Sequence, residues 1–363
     1  MHIAIDATPL LIRSAGVKNY LYYWIDHLRR QAGSHTIRTV PALESLGPLT
    51  HDSSVAGPLR TLAGLGALAL SNHTPLPVLD WLTARADVFH ASTMIAHPPR
   101  RPKLTATIHD MTCWLMPELH PAANLRAERT FADLLKRAAR LIAVSESTKN
   151  DAVRVLGLIP EKIAVIHSGI ADSFFDADPG DVRRRYSLPR PFVLALGTIE
   201  PRKNIDALLD AFEALPPDLR AEFDLVVAGP MGWASGKTAA RLQKYRYLGY
   251  VPERDLVPLT SAAAVFAYPS LYEGFGFPVV QAMAAGVPVV TSNVSSLPEI
   301  AGDAALLVDP RSLAELRDAL VRLLESPDLR AACAARGRRR AERFRWPECA
   351  ARSLRFFETA MDG

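Results

Sequence analysis

Cysteine is scarce in this chain: Cys113, Cys333 and Cys349 are the only three among 363 residues. They lie far apart and in no metal-ligand spacing, so neither a disulfide framework nor a zinc site is expected, and free thiols in a reducing compartment are. Long apolar runs are lacking too. The most apolar stretch, Leu62 to Leu70, falls well short of the ~20 residues that span a bilayer. The start, MHIAIDATPL, carries Asp6 inside its apolar run and no basic region before it, so it reads as a strand and not a signal peptide. A soluble cytoplasmic protein is expected, at most attached to the inner face of a membrane. Neither sign of charge dominates: 42 Lys and Arg face 38 Asp and Glu, a net +4. That mild excess suits an anionic small ligand or a membrane surface and does not call for nucleic acid. No GxGxxG follows the first strand, and GPMGWASGK, Gly229 to Lys237, has the wrong spacing for a P-loop. No His, Cys and Asp cluster has metal spacing. Nicotinamide, ATP and metal chemistry therefore lose ground, and no cofactor is expected.

What the chain does have is a rhythm. HIAIDA, VFHAS, LTATIHD, RLIAVS and IAVIHSG are strand candidates in the first half, and FVLALGT, FDLVVAGP, YLGYV, AVFAYPS and PVVTSN in the second. Several are apolar on both faces, as strands inside parallel sheets are. Helical patterns lie between them, such as Asn124 to Ala139 and Asn204 to Leu215, and three more close the chain from Ser312. The βαβ series occurs twice and predicts two doubly wound α/β domains. A Gly-, Asp- and Pro-rich stretch between Ser168 and Arg190 reads as the linker. The segment His51 to Pro77 is Gly-, Pro- and Leu-rich and reads as a surface connection with a buried helix.

Two glycine turns carry the chemistry. LGTIEPRKN, Leu196 to Asn204, follows a strand and places Arg202 and Lys203 at the mouth of a helix. Ligands of open parallel sheets bind beyond the carboxyl ends of strands, and a helix N-terminus with two added cations makes a diphosphate site. Alone, the Arg-Lys pair reads as solvated surface charge. EGFGFPVVQAMAAG, Glu273 to Gly286, changes that weighing. Gly274 and Gly276 let the backbone approach a ligand, while Glu273 repels phosphate but accepts from hydroxyls. Amides for phosphate with a carboxylate for hydroxyls suit a sugar nucleotide. The plain alternative is that Glu273 merely complements a helix dipole.

These stretches, with AVSESTKND, LGYVPERDL and the long run from Ala267 to Pro310, resemble the retaining glycosyltransferases of family four. The resemblance is densest from Phe192 to Pro310. It implies the GT-B fold, α/β with two facing Rossmann-like domains and a deep cleft between them: residues 1–175 for the acceptor, 176–345 for the donor, and a last helix, about 346–363, packing back on the first. It implies that Lys203, with Arg202 nearby, binds the diphosphate and that Glu273 binds donor-sugar hydroxyls. The Gly274, Phe275, Gly276 and Phe277 turn would face sugar and phosphate, and the loop of Gly249, Tyr250 and Val251 would pass near the base. Gly16 would lie near the donor phosphates and His109 beside the transferred sugar; the plain reading of His109 is a strand-ending histidine bonded to a loop. Two positions depart from the family. Gln281 stands where a second glutamate commonly holds the ribose, and Thr198 stands where an arginine often follows the glycine. The implied reaction moves a sugar from a GDP-, UDP- or dTDP-sugar to a hydroxyl of a glycan or lipid-linked glycan, without metal and on one face. Mannose, or rhamnose, is the expected sugar and bacterial surface polysaccharide the expected setting. The basic stretches HPPRRPK and RAERTFADLLKRAAR suit an anionic membrane surface, or are solvated helix faces. A sugar-nucleotide epimerase of the same fold and a non-catalytic nucleotide- or glycan-binding subunit are the alternatives.

Overall fold

Strands form at most of the apolar runs, and among the described residues every strand pairing is parallel. The structure is a computed structural model that describes residues 1–14, 16–74, 76–233 and 236–361. The chain divides into two units, Met1–Gly169 with Trp346–Gly363, and Ile170–Arg345.

In the first unit, β1 (His2–Asp6), β2 (Thr36–Val40), β3 (Val88–Ala91), β4 (Lys103–Ile108), β5 (Arg140–Ala143) and β6 (Ile163–Val165) form one sheet in the order β2-β1-β3-β4-β5-β6. In the second, β7 (Phe192–Leu196), β8 (Asp224–Ala228), β9 (Arg246–Tyr247), β10 (Val265–Tyr268), β11 (Val289–Ser292) and β12 (Leu306–Val308) are ordered β12-β11-β10-β7-β8-β9. The sheet therefore grows outward in both directions from β7 and β10. The crevice at the carboxyl ends of two such central strands is where doubly wound sheets bind ligands.

Three elements differ from expectation. β2 and β12 are strands that the apolar runs did not mark: β2 carries Arg38 and two threonines, and β12 is three residues long. YLGYV is mostly loop: the strand stops at Tyr247, and Gly249 turns the chain at φ +63°. The helix Pro58–His73 is not buried as expected. Only Gly64, Leu68 and Ser71 are covered, while Leu59, Leu62 and Leu70 face solvent. Leucines lie on all sides of this helix, so its sequence does not choose an inner face. The segment after Ile170 packs into the second unit, where Val182 and Leu188 are buried and Arg185 pairs with Asp255.

The first unit is closed by the helix Trp346–Met361, whose buried side chains recur at helical spacing from Trp346 through Cys349, Ala350, Ser353 and Phe357 to Ala360. It packs on the helix Gly16–Arg30, and Trp24 Nε1 donates to Ser353 Oγ at 2.9 Å. His90 lies in the same core, its ring centroid 5.0 Å from that of Trp24 and 5.4 Å from that of Phe357, with its two nitrogens bonded to the Thr105 and Thr107 hydroxyls. Among the described residues no helix is long and apolar enough to cross a membrane.

Burial, with His109 nearby, pushes His90 from 6.5 down to about 3. The unfolded chain therefore takes up the proton first. Stability should be flat above pH 6.5 and fall by about 1.4 kcal/mol per pH unit from this group as the pH descends toward the folded value. Urea midpoints measured against pH should show that decline, and a His90→Gln variant should show a shallower one. Equal slopes for both proteins would contradict a neutral buried imidazole.

Candidate active site

The loops after β7 and β10 meet at the centre of the second sheet. Residues Pro201–Lys203 form a single 3-10 turn, Asn204 takes the left-handed conformation at φ +56°, and the helix Ile205–Glu213 follows. The Asn204 amide donates to the carbonyls of Pro269 and Pro310, and the Leu271 amide to the carbonyl of Arg202. These bonds fix the Arg202-Lys203 turn against the loop that carries Glu273.

Glu273 is the centre of the cluster. Its Oε1 accepts from Lys203 Nζ at 2.6 Å, from Tyr268 Oη at 2.8 Å and from Ser270 Oγ at 2.6 Å. Its Oε2 lies 2.8 Å from an Arg202 nitrogen. Arg202 also donates to Glu200 at 2.6 Å and to the Tyr272 carbonyl at 2.8 Å. Lys203 reaches the Tyr268 hydroxyl as well, at 2.5 Å. The side chains of Arg202 and Lys203 are only 14% and 11% exposed. Two cations and two carboxylates thus balance one another out of water. Burial alone would raise the Glu273 carboxyl; Arg202 and Lys203 outweigh it and hold it down to about 2. Burial, then Arg202, lower Lys203 from its ordinary value, and Glu273 and Glu200 oppose them.

The rest of the turn is held by its backbone. The Glu273 amide donates to Ser295 Oγ, and Ser296 Oγ donates to the carbonyls of Glu273 and Phe275. Gly276 caps the helix Phe277–Ala284 at φ +102°, a conformation that a side chain would strain. Gly274 and Phe275 are buried, and the Phe275 and Phe277 rings meet edge to face at 5.1 Å. Gln281 is half-buried on that helix. Thr198 is half-buried after β7, beside Gly232. The Gly249 carbonyl accepts from the Gly229 amide at 2.7 Å, which sets Gly249, Tyr250 and Val251 at the end of β8.

Two expected residues lie in the first unit. His109 follows β4, edge-on to Tyr20 at 5.0 Å; burial drops it to about 4, against the pull of Asp110, and its Nε2 is buried without a hydrogen-bond partner. The loop bond of the plain reading is therefore missing at Nε2. Gly16 opens the helix Gly16–Arg30, exposed, and a Cβ there would meet nothing within 4 Å. Sequence reasoning missed Glu200, Tyr268, Ser270, Ser295 and Ser296. Glu200 stood inside EPRKN, and Tyr268 and Ser270 inside AYPS, but nothing in the sequence couples them to Glu273.

The second sheet thus carries a buried, charge-balanced cluster at its strand ends, the place where doubly wound sheets bind ligands. The Glycosyl transferases group 1 family matches residues 183–340, and Glycosyltransferase Family 4 matches residues 14–174. The chain is 34% identical over 272 residues to an O-antigen chain mannosyltransferase B of Escherichia coli, covering 72% of this chain and 71% of that one. It is 33% identical over 260 residues to a D-inositol 3-phosphate glycosyltransferase of Streptomyces scabiei, covering 66% and 58%. In fold it matches Anabaena HepE in complex with UDP and glucose, with TM-score 0.73, 19% identity and 99% and 100% coverage. It likewise matches sucrose-phosphate synthase of Thermosynechococcus elongatus, with TM-score 0.72, 20% identity and 99% and 98% coverage. The chain belongs to the family 4, group 1 glycosyltransferases and has their GT-B fold.

Glu273→Gln would leave two buried cations without their shared counter-charge. The loss should be about 3–5 kcal/mol, the usual cost of breaking a buried pair from one side. Because the carboxyl is depressed from 4.5 to about 2, the gap between wild type and variant should be full above pH 4.5 and close as the pH falls toward 2. Denaturant unfolding across that range checks both the size and the sign.

Proposed function

We propose that this glycosyltransferase transfers mannose, with retention of configuration and without a metal, from GDP-mannose to a hydroxyl of a lipid-linked glycan in surface polysaccharide synthesis. The observation that carries the reading is the Lys203–Glu273 pair, braced by Arg202, at the crevice between β7 and β10. The sugar and the setting rest on the similarity to the Escherichia coli mannosyltransferase.

In this reading Ile170–Arg345 binds the donor and the other unit binds the acceptor. Lys203, with Arg202 beside it, faces the diphosphate and meets the charge that grows on it as the C1–O bond breaks. Amides of Gly274, Phe275, Gly276 and Phe277 face the sugar and the same phosphates at a helix N-terminus. Glu273 keeps both cations in place and gives up one protein partner to a sugar hydroxyl. The acceptor oxygen forms its bond to C1 on the face the phosphate leaves, and the departing phosphate oxygen takes the proton. The chain supplies position and charge, which is where most of such a barrier is removed. Gln281 accepts from the ribose as a neutral amide, a weaker bond than a carboxylate makes. Thr198 borders the phosphate pocket, and Gly249, Tyr250 and Val251 pass the base. Gly16 and His109 belong to the acceptor-binding unit.

A thermal-shift screen against UDP-, GDP- and dTDP-sugars should raise Tm most with GDP-mannose, since a ligand of the native state alone stabilises it. No shift with any of them would sink the donor reading. Lys203→Ala should lower turnover about a hundredfold, the order lost with one oxyanion donor. Nucleotide release should also require an acceptor; release without one points to the epimerase reading.

A further inference from the structure

The helix Pro58–His73 turns three of its leucines outward. Leu59, Leu62 and Leu70 are 85%, 73% and 50% exposed, and with Gly66 they fall on one face at helical spacing. The opposite face is fixed: Leu68 and Ser71 are buried, and Gly64 lies so close to Pro41 and Leu11 that a Cβ would come within 2.6 Å of the proline ring. The helix cannot roll its leucines inward without losing that fit. The exposed surface continues past the helix to Trp81, 66% exposed, on the helix Val78–Leu82 that packs against it. A contiguous apolar face of this kind on a folded unit marks a contact surface.

Basic groups dominate its charge, with Asp80 the carboxylate beside Trp81. No Asp or Glu occurs from Ser53 to Leu79, and Asp80 accepts the Arg100 amide at 2.7 Å. That bond, the Ala96 amide on Asn72 Oδ1, and Arg101 on the Ala84 carbonyl bring the 96–101 loop against the two helices. Arg60, Arg85, Arg100 and Arg101 are all exposed there.

We propose that this face docks on an anionic lipid bilayer, with the three leucines and Trp81 entering the headgroup boundary and the arginines lying over acidic headgroups. A helix with an exposed apolar face, a tryptophan and surrounding arginines has the chemistry of interfacial binding. A second copy of the chain is the poorer occupant, because a two-fold contact sets the patch against itself and arginine against arginine. The docking deepens the lipid-linked acceptor of the proposed function and rests on that reading for its purpose, but on its own residues for its location.

The test is co-sedimentation of the full chain with vesicles of phosphatidylglycerol and phosphatidylethanolamine, and with phosphatidylcholine alone. The protein should pellet with the first and not the second. Replacing the leucines together, Leu59→Ser, Leu62→Ser and Leu70→Ser, should weaken binding at least about tenfold, given the apolar area lost. Arg60→Gln with Arg85→Gln and Arg100→Gln should weaken it to a similar degree, and added salt should mimic that loss. Trp81 emission should shift to the blue on anionic vesicles, a change missing in Trp81→Phe. Wild-type protein left in the supernatant, or a leucine variant that pellets like wild type, overturns the docking. So does a wild-type dimer that the leucine variant dissolves in sedimentation equilibrium. Both variants should keep the wild-type Tm and its rise with GDP-mannose. A lost rise in wild type with vesicle binding intact would count against the donor reading alone, and lost vesicle binding with the rise intact against the docking alone.

Discussion

The second unit is organised around one buried charge cluster, in which Glu273 bridges Lys203 and Arg202. Taking these ions out of water costs more than any one contact returns, so a single buried pair is a poor device for stability. Sharing changes the balance. One carboxylate serves two cations and accepts from two hydroxyls, and Arg202 divides itself between two carboxylates and a carbonyl. No charge in the group is left without partners, and each side chain is restrained from several directions. The loops after β7 and β10 therefore cannot drift apart without leaving a buried ion unpaired.

The backbone makes that arrangement possible. Gly229 sits at φ +137°, and a Cβ there would lie within 1.9 Å of the Gly197 carbonyl oxygen. The turns after β7 and β8 are thus stacked main chain on main chain, which only glycine permits. The same Gly229 donates to Gly249, so three glycine turns share one edge of the sheet. These backbone turns and the shared ion cluster lie at the same end of the sheet, with Lys203 Cε 3.8 Å from where a Gly197 Cβ would stand.

Much of this fold is legible in the sequence. Strands buried on both faces wrote themselves as apolar runs, and each glycine turn after them marked a strand end. Arg202, Lys203 and Glu273 were readable because they stand in those turns. Their pairing was not. In sequence Glu273 reads as a hydroxyl acceptor and Lys203 as a phosphate ligand, and nothing says the two touch, since contact across seventy positions is a property of sheet order. Glu200 and Tyr268 were hidden for the same reason: they matter only through what the fold brings to them. The helix Pro58–His73 failed differently. Its leucines are on all sides, and which side is buried depends on where Pro41 and Leu11 happen to lie.

The position of Arg202 bears on the departure at Thr198. An arginine directly after the glycine, as the resembling family often has, would approach the crevice from the β7 side. Here that place holds a short neutral side chain, and Arg202 stands four residues later in the 3-10 turn. It arrives already tied to Glu200 and to the Tyr272 carbonyl. The left-handed Asn204 then restarts the chain as a helix, with its side-chain amide bonded to the Pro269 and Pro310 carbonyls. EPRKN is therefore read best as one unit. Glu200 orients the arginine, Pro201 starts the turn, Arg202 and Lys203 carry the charge, and Asn204 locks the exit to the neighbouring loops.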